Sequence, residues 1–68
     1  MSSIQLNLRI YPLKYIEKAI EDYHNVVGIR YHIEENKAIL NFDCEEEVFS
    51  LIKNELCNYI IGLIGKYI

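Results

Sequence analysis

Hydrophobic and polar side chains alternate along the start of the chain. Ile4, Leu6, Leu8 and Ile10 are separated by single polar residues. A period of two is typical of a strand with one buried face. We therefore predict a first strand over residues 4–10.

The spacing then changes from two residues to three and four. Pro12 is suited to a first helical turn, because its missing N–H would have no partner there. The apolar positions that follow at helical spacing are Leu13, Ile16, Ile20 and Tyr23. This pattern predicts a first helix that ends near His24.

Alternation returns in two further segments, which are separated by a polar stretch from Glu34 to Lys37. The apolar positions of the first are Val27, Ile29, Tyr31 and Ile33, and those of the second are Ala38, Leu40 and Phe42. Two alternating runs joined by a short polar turn predict a β-hairpin.

A second helix is predicted from the hairpin to the C-terminus. Asp43 followed three residues later by Glu46 has the spacing of an N-cap with its capping partner. One apolar stripe recurs at helical spacing and is expected to pack on the sheet: Phe49, Ile52, Leu56, Tyr59, Leu63 and Tyr67.

This order of elements predicts one α+β domain over residues 1–68. A right-handed crossover makes the first two strands parallel, so the third can lie antiparallel between them. The predicted fold is a three-stranded sheet of order 1-3-2 with two helices on one face. It is a ferredoxin-like β-α-β-β-α arrangement without the fourth strand.

Without that fourth strand, the outer edge of the first strand is open to pairing. The second helix also carries apolar residues off its stripe, more than so short a chain can bury. The predicted partner-binding residues are Ile4, Leu6, Tyr59, Ile60, Ile61, Ile64, Tyr67 and Ile68. The partner is either a protein or peptide segment, or a second copy in a homodimer.

The sheet face away from the helices is predicted to be polar, with Arg9, Arg30 and His32 giving it a basic tendency. One interpretation is a solvated face. The other is a surface that holds an acidic partner.

Composition restricts the function further. The net charge is −3 and the seven Lys and Arg residues are scattered, which argues against nucleic-acid binding. His24, His32, Cys44 and Cys57 match no compact metal-binding spacing, and no nucleophile with a base can be assembled. We expect no metal, cofactor or catalytic activity.

Location is predicted from two features of the sequence. The start of the chain lacks a secretory-signal pattern. The apolar C-terminal run is too short to span a membrane and contains Asn58 and Lys66. A cytoplasmic protein without a membrane partner is expected.

Several short motifs resemble the HxsD proteins of His-Xaa-Ser peptide-modification systems. The first is Asn7-Leu8-Arg9-Ile10-Tyr11-Pro12-Leu13, which is followed by a helix that contains Ala19. Later come Phe49 through Ile52, Asn54-Glu55-Leu56 and Asn58-Tyr59, although Ile60-Ile61-Gly62-Leu63 replaces the family's Leu-Arg-Glu continuation. The resemblance implies a non-catalytic accessory protein that acts with a radical S-adenosylmethionine enzyme on a ribosomally made peptide.

Overall fold

The five predicted elements follow one another in the predicted order. A computed structural model of the chain describes residues 2–66. The elements are β1 (Ser2–Asn7), α1 (Leu13–Asp22), β2 (Gly28–Glu34), β3 (Lys37–Asp43) and α2 (Glu46–Lys66).

The strands form one sheet of order β1-β3-β2. The central strand β3 runs antiparallel to both neighbours, with Leu40 opposite Ile4 on one side and Tyr31 on the other. β1 and β2 are therefore parallel to each other across β3. The predicted α+β class and strand order are confirmed.

The hydrophobic core lies between one face of the sheet and the two helices. The even-numbered positions of β1 and β3 face it, and the rings of Phe42 and Phe49 meet edge to face with centroids 5.2 Å apart. Burial of these side chains is the main force that holds the two layers together. The buried set is Leu6, Ile16, Ala19, Val27, Ala38, Leu40, Phe42, Ile52, Leu56, Ile60 and Leu63.

β1 is shorter than predicted, because the chain turns at Asn7. The carbonyl of Asn7 accepts hydrogen bonds from the N–H groups of Ile10 and Tyr11, and its side-chain oxygen accepts one from the N–H of Arg9 at 2.9 Å. An Asn side chain that bonds the backbone two residues on is typical of such turns. The prediction that Arg9 lies on the polar sheet face was wrong.

The start of α2 also differs from the prediction. Asp43 is not its N-cap, because it is the last residue of β3 and pairs with Gly28. The carbonyl of Glu45 accepts the N–H of Phe49 at 2.9 Å, so the helical bonds begin two residues later. Glu46 and Glu47 lie in the first turn, where the helix dipole favours negative charge.

α1 is bounded more tightly than the apolar spacing indicates. Its first residue is Leu13, and the carbonyl of Pro12 accepts the N–H of Tyr15 at 3.0 Å. The helix ends at Asp22, not at His24. A turn then leads to Val27, which is buried.

The predicted hairpin turn contracts to two residues, Glu35 and Asn36. Glu35 has a φ of 56°, in the left-handed region that L-residues adopt at a cost. Short hairpin turns need such values, because their twist then matches the twist of the strands.

The buried stripe of α2 is rotated from the predicted one. Ile60 is fully buried beside Ile52, Leu56 and Leu63, whereas Tyr59 is only half-buried. The predicted stripe residue Tyr67 lies outside the described residues. Ile60 is therefore a core residue, although the predicted stripe does not include it.

Candidate functional site

The outer edge of β1 has no strand beside it among residues 2–66. The N–H of Leu8 bonds the carbonyl of Asn36 at 2.8 Å and extends the β1–β3 ladder by one pair. Bonded and non-bonded pairs alternate in antiparallel ladders, so Ile4 and Leu6 also bond β3. The N–H and C=O groups of Ser3 and Gln5 consequently point away from the sheet.

Asn7 extends this edge by one donor only. Its N–H points outward by the same alternation, but its carbonyl already accepts the N–H groups of Ile10 and Tyr11. The open edge thus offers five backbone groups, of which four belong to Ser3 and Gln5. We call Ser3, Gln5 and Asn7 the β1 edge.

One side of α2 lies away from α1. Tyr59 marks the side toward α1, because it donates a hydrogen bond to Asp22 and its ring is 5.5 Å from that of Tyr23. At 100° per residue, Cys57, Ile61 and Ile64 lie about 150° around the helix from Tyr59. We call these three residues the α2 flank.

The α2 flank is on the same side of the molecule as the β1 edge. α1 lies toward β2, since the hydroxyl of Tyr31 on β2 donates to Glu17 on α1. α2 packs on β1. The side of α2 that points away from α1 is therefore the side next to the open strand.

The flank combines one exposed apolar side chain with two half-buried ones. Ile61 is 52% exposed, whereas Cys57 and Ile64 pack partly on the core. Burial raises the pKa of the Cys57 thiol, which keeps it protonated and poorly nucleophilic at neutral pH. The flank is an apolar surface and not a reactive centre.

Of the predicted partner-binding residues, two are in the core. Ile60 is 0% exposed and Leu6 is 5% exposed, so neither side chain is available to a partner. The prediction was wrong for these two. Their burial follows from their positions, since Leu6 faces the helices and Ile60 faces the sheet.

The remaining predicted residues are placed differently from one another. Ile4 and Ile64 are half-buried against the core, and Ile61 is exposed. Tyr59 is held on the α1 side by Asp22. Tyr67 and Ile68 lie outside the described residues.

The Tyr59–Asp22 pair is the centre of a small polar cluster between the helices. Lys18 joins it through a 3.2 Å ion pair with Asp22. The hydrogen bond from Tyr59, followed by that from Lys18, lowers the pKa of Asp22, and the same bond to Asp22 raises the pKa of Tyr59. The hydrogen bond between α2 and α1 therefore favours the ionised form of Asp22 and the neutral form of Tyr59.

The polar sheet face carries charges of both signs. Arg30 and His32 lie on it as predicted, opposite Asn41 and Ile39 of β3. Nε2 of His32 is 2.8 Å from Glu34 on the same strand. Glu34 offsets part of the predicted basic tendency of this face.

No side-chain cluster with metal-binding geometry occurs in the described part of the chain. Within residues 2–66, no three His, Cys, Asp or Glu side chains are grouped so that they could hold an ion. An open depression at the start of α2 is lined by Glu45, Glu46, Glu47 and Ser50. Its lining residues supply carboxylates and a hydroxyl but no imidazole, thiol or cation.

α2 is 21 residues long and contains an 18-residue window with a mean hydropathy of 1.2, so by length and composition alone it could cross a membrane. The argument that the apolar run is too short therefore does not hold for the whole helix. In the structure, its residues Ile52, Leu56, Ile60 and Leu63 pack in the core of a small domain.

Three comparisons with known proteins found no match for the chain. No protein-family model, no curated protein and no solved structure matches it. The resemblance to HxsD proteins therefore stays a prediction, based on the short motifs alone.

The sequence signals only part of this site. The open edge follows from the strand order, but the residues whose backbone faces outward depend on the ladder alternation. Asn7 is the one local signal, because Asn favours the turn that ends the strand. Nothing in the spacing distinguishes Ile60 from Ile61.

Proposed function

We propose that this chain is a non-catalytic accessory protein that binds an extended polypeptide segment along β1. The observation that supports it is the edge itself, where Ser3 and Gln5 offer unpaired N–H and C=O groups. A peptide that adds as a strand gains its affinity from such groups. The α2 flank then supplies apolar contact for alternate side chains of the segment.

The bound segment would meet two different surfaces. On the helix side are Cys57, Ile61 and Ile64, which are apolar. On the other side are the uncharged polar side chains of Ser3, Gln5 and Asn7. A segment with alternating apolar and uncharged polar residues fits this arrangement, because alternate side chains of a strand point to opposite faces.

The resemblance to HxsD proteins suggests the biological setting. In that setting the partner is a radical S-adenosylmethionine enzyme or the ribosomally made peptide that it modifies. The protein would act in the cytoplasm and bind no cofactor of its own. Gene neighbours that encode such an enzyme and a short precursor peptide would support this pathway, and their absence would argue against it.

Co-purification with the neighbouring enzyme and peptide tests the proposal. Ile61→Asp places a charge on the α2 flank and should reduce co-purification by about tenfold or more, since burying an unpaired charge at an interface is costly. Leu51→Asp is the matched control. Leu51 is 70% exposed on the same helix and lies outside the α2 flank, about 15 Å from Ile61 along the helix axis and about 80° around it.

The two variants separate binding from folding. Circular dichroism should show both folded, because neither side chain is in the core. Equal loss of binding in both variants would contradict the α2 flank as a binding surface. Retention of binding in Ile61→Asp would do so as well.

A further inference from the structure

We infer that a second copy of this chain covers the β1 edge when no other segment is bound. The two copies pair antiparallel along β1 about a two-fold axis. The inference rests on the proposed function in one respect, namely that β1 is the binding edge. It adds a specific occupant and makes dimerisation and segment binding mutually exclusive.

The outward groups of β1 are self-complementary. In an antiparallel pair centred on Ile4, Ser3 of one copy lies opposite Gln5 of the other. Each such pair exchanges two hydrogen bonds. The four outward groups of Ser3 and Gln5 in each copy then all have hydrogen-bond partners. The pairing does not need the carbonyl of Asn7, which already accepts hydrogen bonds within its turn.

Charge also favours this surface for self-association. Each copy has a net charge of −3, so two copies repel each other over most orientations. β1 carries no ionisable side chain from Ser2 to Asn7. Two β1 strands can therefore approach each other without placing like charges opposite one another, which is destabilising in sheets.

The α2 flank adds apolar area to the pairing. Since the flank is on the same side as the β1 edge, a two-fold axis at β1 brings the flanks of both copies toward each other. Ile61, 52% exposed in the single copy, becomes covered. The assembly has strand order 2-3-1-1-3-2 with the four helices on one face, and no edge of β1 remains open.

The mass in solution tests the inference directly. Light scattering coupled to size exclusion should give twice the 8.1 kDa mass of the chain at high concentration. Gln5→Lys should raise the dimer dissociation constant by about tenfold or more, because lysine on an edge strand opposes pairing. A monomeric wild-type protein at all accessible concentrations would overturn the inference.

A matched control is provided by the other edge of the sheet. Gln5 and His32 lie opposite the same residue, Ile39, on either side of β3. His32→Lys should leave the dimer intact. Equal weakening by both variants, or a dimer unaffected by Gln5→Lys, would show that β1 is not the interface.

Amide hydrogen exchange reports on the same groups without a substitution. At concentrations where the dimer forms, the N–H groups of Ser3 and Gln5 should exchange more slowly than in the monomer, by about tenfold or more. The reason is that exchange requires an N–H without a hydrogen bond. Those of Ile4 and Leu6 should be slow at all concentrations. Fast exchange of Gln5 in a dimer would contradict the pairing.

These outcomes are distinguishable from those of the proposed function. A monomer that still binds the neighbouring enzyme or peptide contradicts the dimer and leaves the proposed function standing. A β1-paired dimer that binds neither partner supports the dimer and contradicts the accessory role. A dimer that dissociates as the peptide binds supports both.

Discussion

The two edges of the sheet differ in the residues they expose. β2 carries Arg30, His32 and Glu34, all exposed, along its length. β1 carries no ionisable residue from Ser2 to Asn7. Natural proteins commonly protect an exposed edge with charged side chains, which oppose pairing with another chain. The β2 edge is protected in this way, and the β1 edge is not.

The helices reinforce this difference. On the β2 side, the hydroxyl of Tyr31 donates to Glu17 of α1, a polar contact. On the β1 side, α2 presents Cys57, Ile61 and Ile64. The β2 edge thus carries charged side chains and a polar contact, whereas the β1 edge combines unpaired backbone groups with an apolar surface. The difference indicates that binding is directed to β1.

The largest expected effect distinguishes the core side of α2 from its flank. Ile60→Ala should lower the free energy of unfolding by about 2–5 kcal/mol, because a fully buried isoleucine leaves a cavity. Ile61→Ala should change it by less than about 0.5 kcal/mol in the monomer. Urea unfolding at one fixed low protein concentration measures both.

The adjacent positions make this a strict test. A similar loss in both variants would mean that Ile61 is buried in the monomer, and the α2 flank would then not be a free surface. The low concentration matters because a dimer interface would add its own stability to that of the fold.

The second effect tests which β1 residues face the open edge. Ile4→Pro removes an N–H that bonds β3 and should cost roughly 1–3 kcal/mol of unfolding free energy. Gln5→Pro removes an N–H that points outward and should cost less than about 1 kcal/mol, since proline is tolerated on edge strands. Thermal unfolding of the two variants beside wild type compares them.

If Gln5→Pro destabilised the protein more than Ile4→Pro, the assignment of outward-facing backbone groups on β1 would be reversed. In that case Ile4 would point outward, and the β1 edge as defined here would be wrong. Gln5→Pro should also weaken dimerisation, because the lost N–H is one of those that pair with the second copy.

The fold could be predicted from the sequence where one pattern dominates. The alternation of Ala38, Leu40 and Phe42 was sufficient for β3, and the order of elements then gave the sheet order. The alternation through Leu8 and Ile10 was misleading, because those residues lie in a turn that the hydrogen bonds of Asn7 determine. Period two describes alternating burial and contains no information about where a strand ends.

The candidate site could be predicted only in outline. The edge position of β1 among residues 2–66 follows from the strand order, and that order follows from the order of elements. The rotation of α2 could not be predicted, because a helix that is apolar on several faces has several possible stripes. Packing against both the sheet and α1 determines which stripe is buried, and Ile60 belongs to that stripe.

A smaller effect concerns the turn beside the charged edge. Glu35→Gly should stabilise the protein by about 0.5–1 kcal/mol, because glycine adopts the φ of 56° without the steric cost that a side chain incurs. Asn36→Gly is the control and should be neutral or destabilising, since it adds freedom to the unfolded chain. Thermal midpoints measure both changes.

This turn closes the β2–β3 hairpin and lies away from the unpaired groups of Ser3 and Gln5. Glu35→Gly should therefore leave binding at β1 unchanged. A loss of dimerisation in this variant would mean that the hairpin turn takes part in the interface, and the two edges would not be independent.

The smallest expected effect is a pH dependence on the side of α2 that faces α1. The hydrogen bond from Tyr59 lowers the pKa of Asp22 in the folded state. The stabilisation is therefore present above the unfolded pKa of about 3.9 and is lost as the pH falls through the lower folded pKa. Tyr59→Phe should reduce the difference in urea midpoint between pH 7 and pH 3.

Tyr31→Phe is the matched control for this pH dependence, because it removes a tyrosine–carboxylate hydrogen bond on the β2 side and leaves Asp22 paired. The acid sensitivity that Asp22 contributes should persist in it. If Tyr59→Phe kept that sensitivity in full, Lys18 would be the dominant partner of Asp22. The Tyr59 side chain would then not be held against α1 by Asp22. The side of α2 that faces α1 would have to be identified from another residue. The position of the α2 flank beside β1 depends on that identification, so even this small effect bears on which edge of the sheet binds a partner.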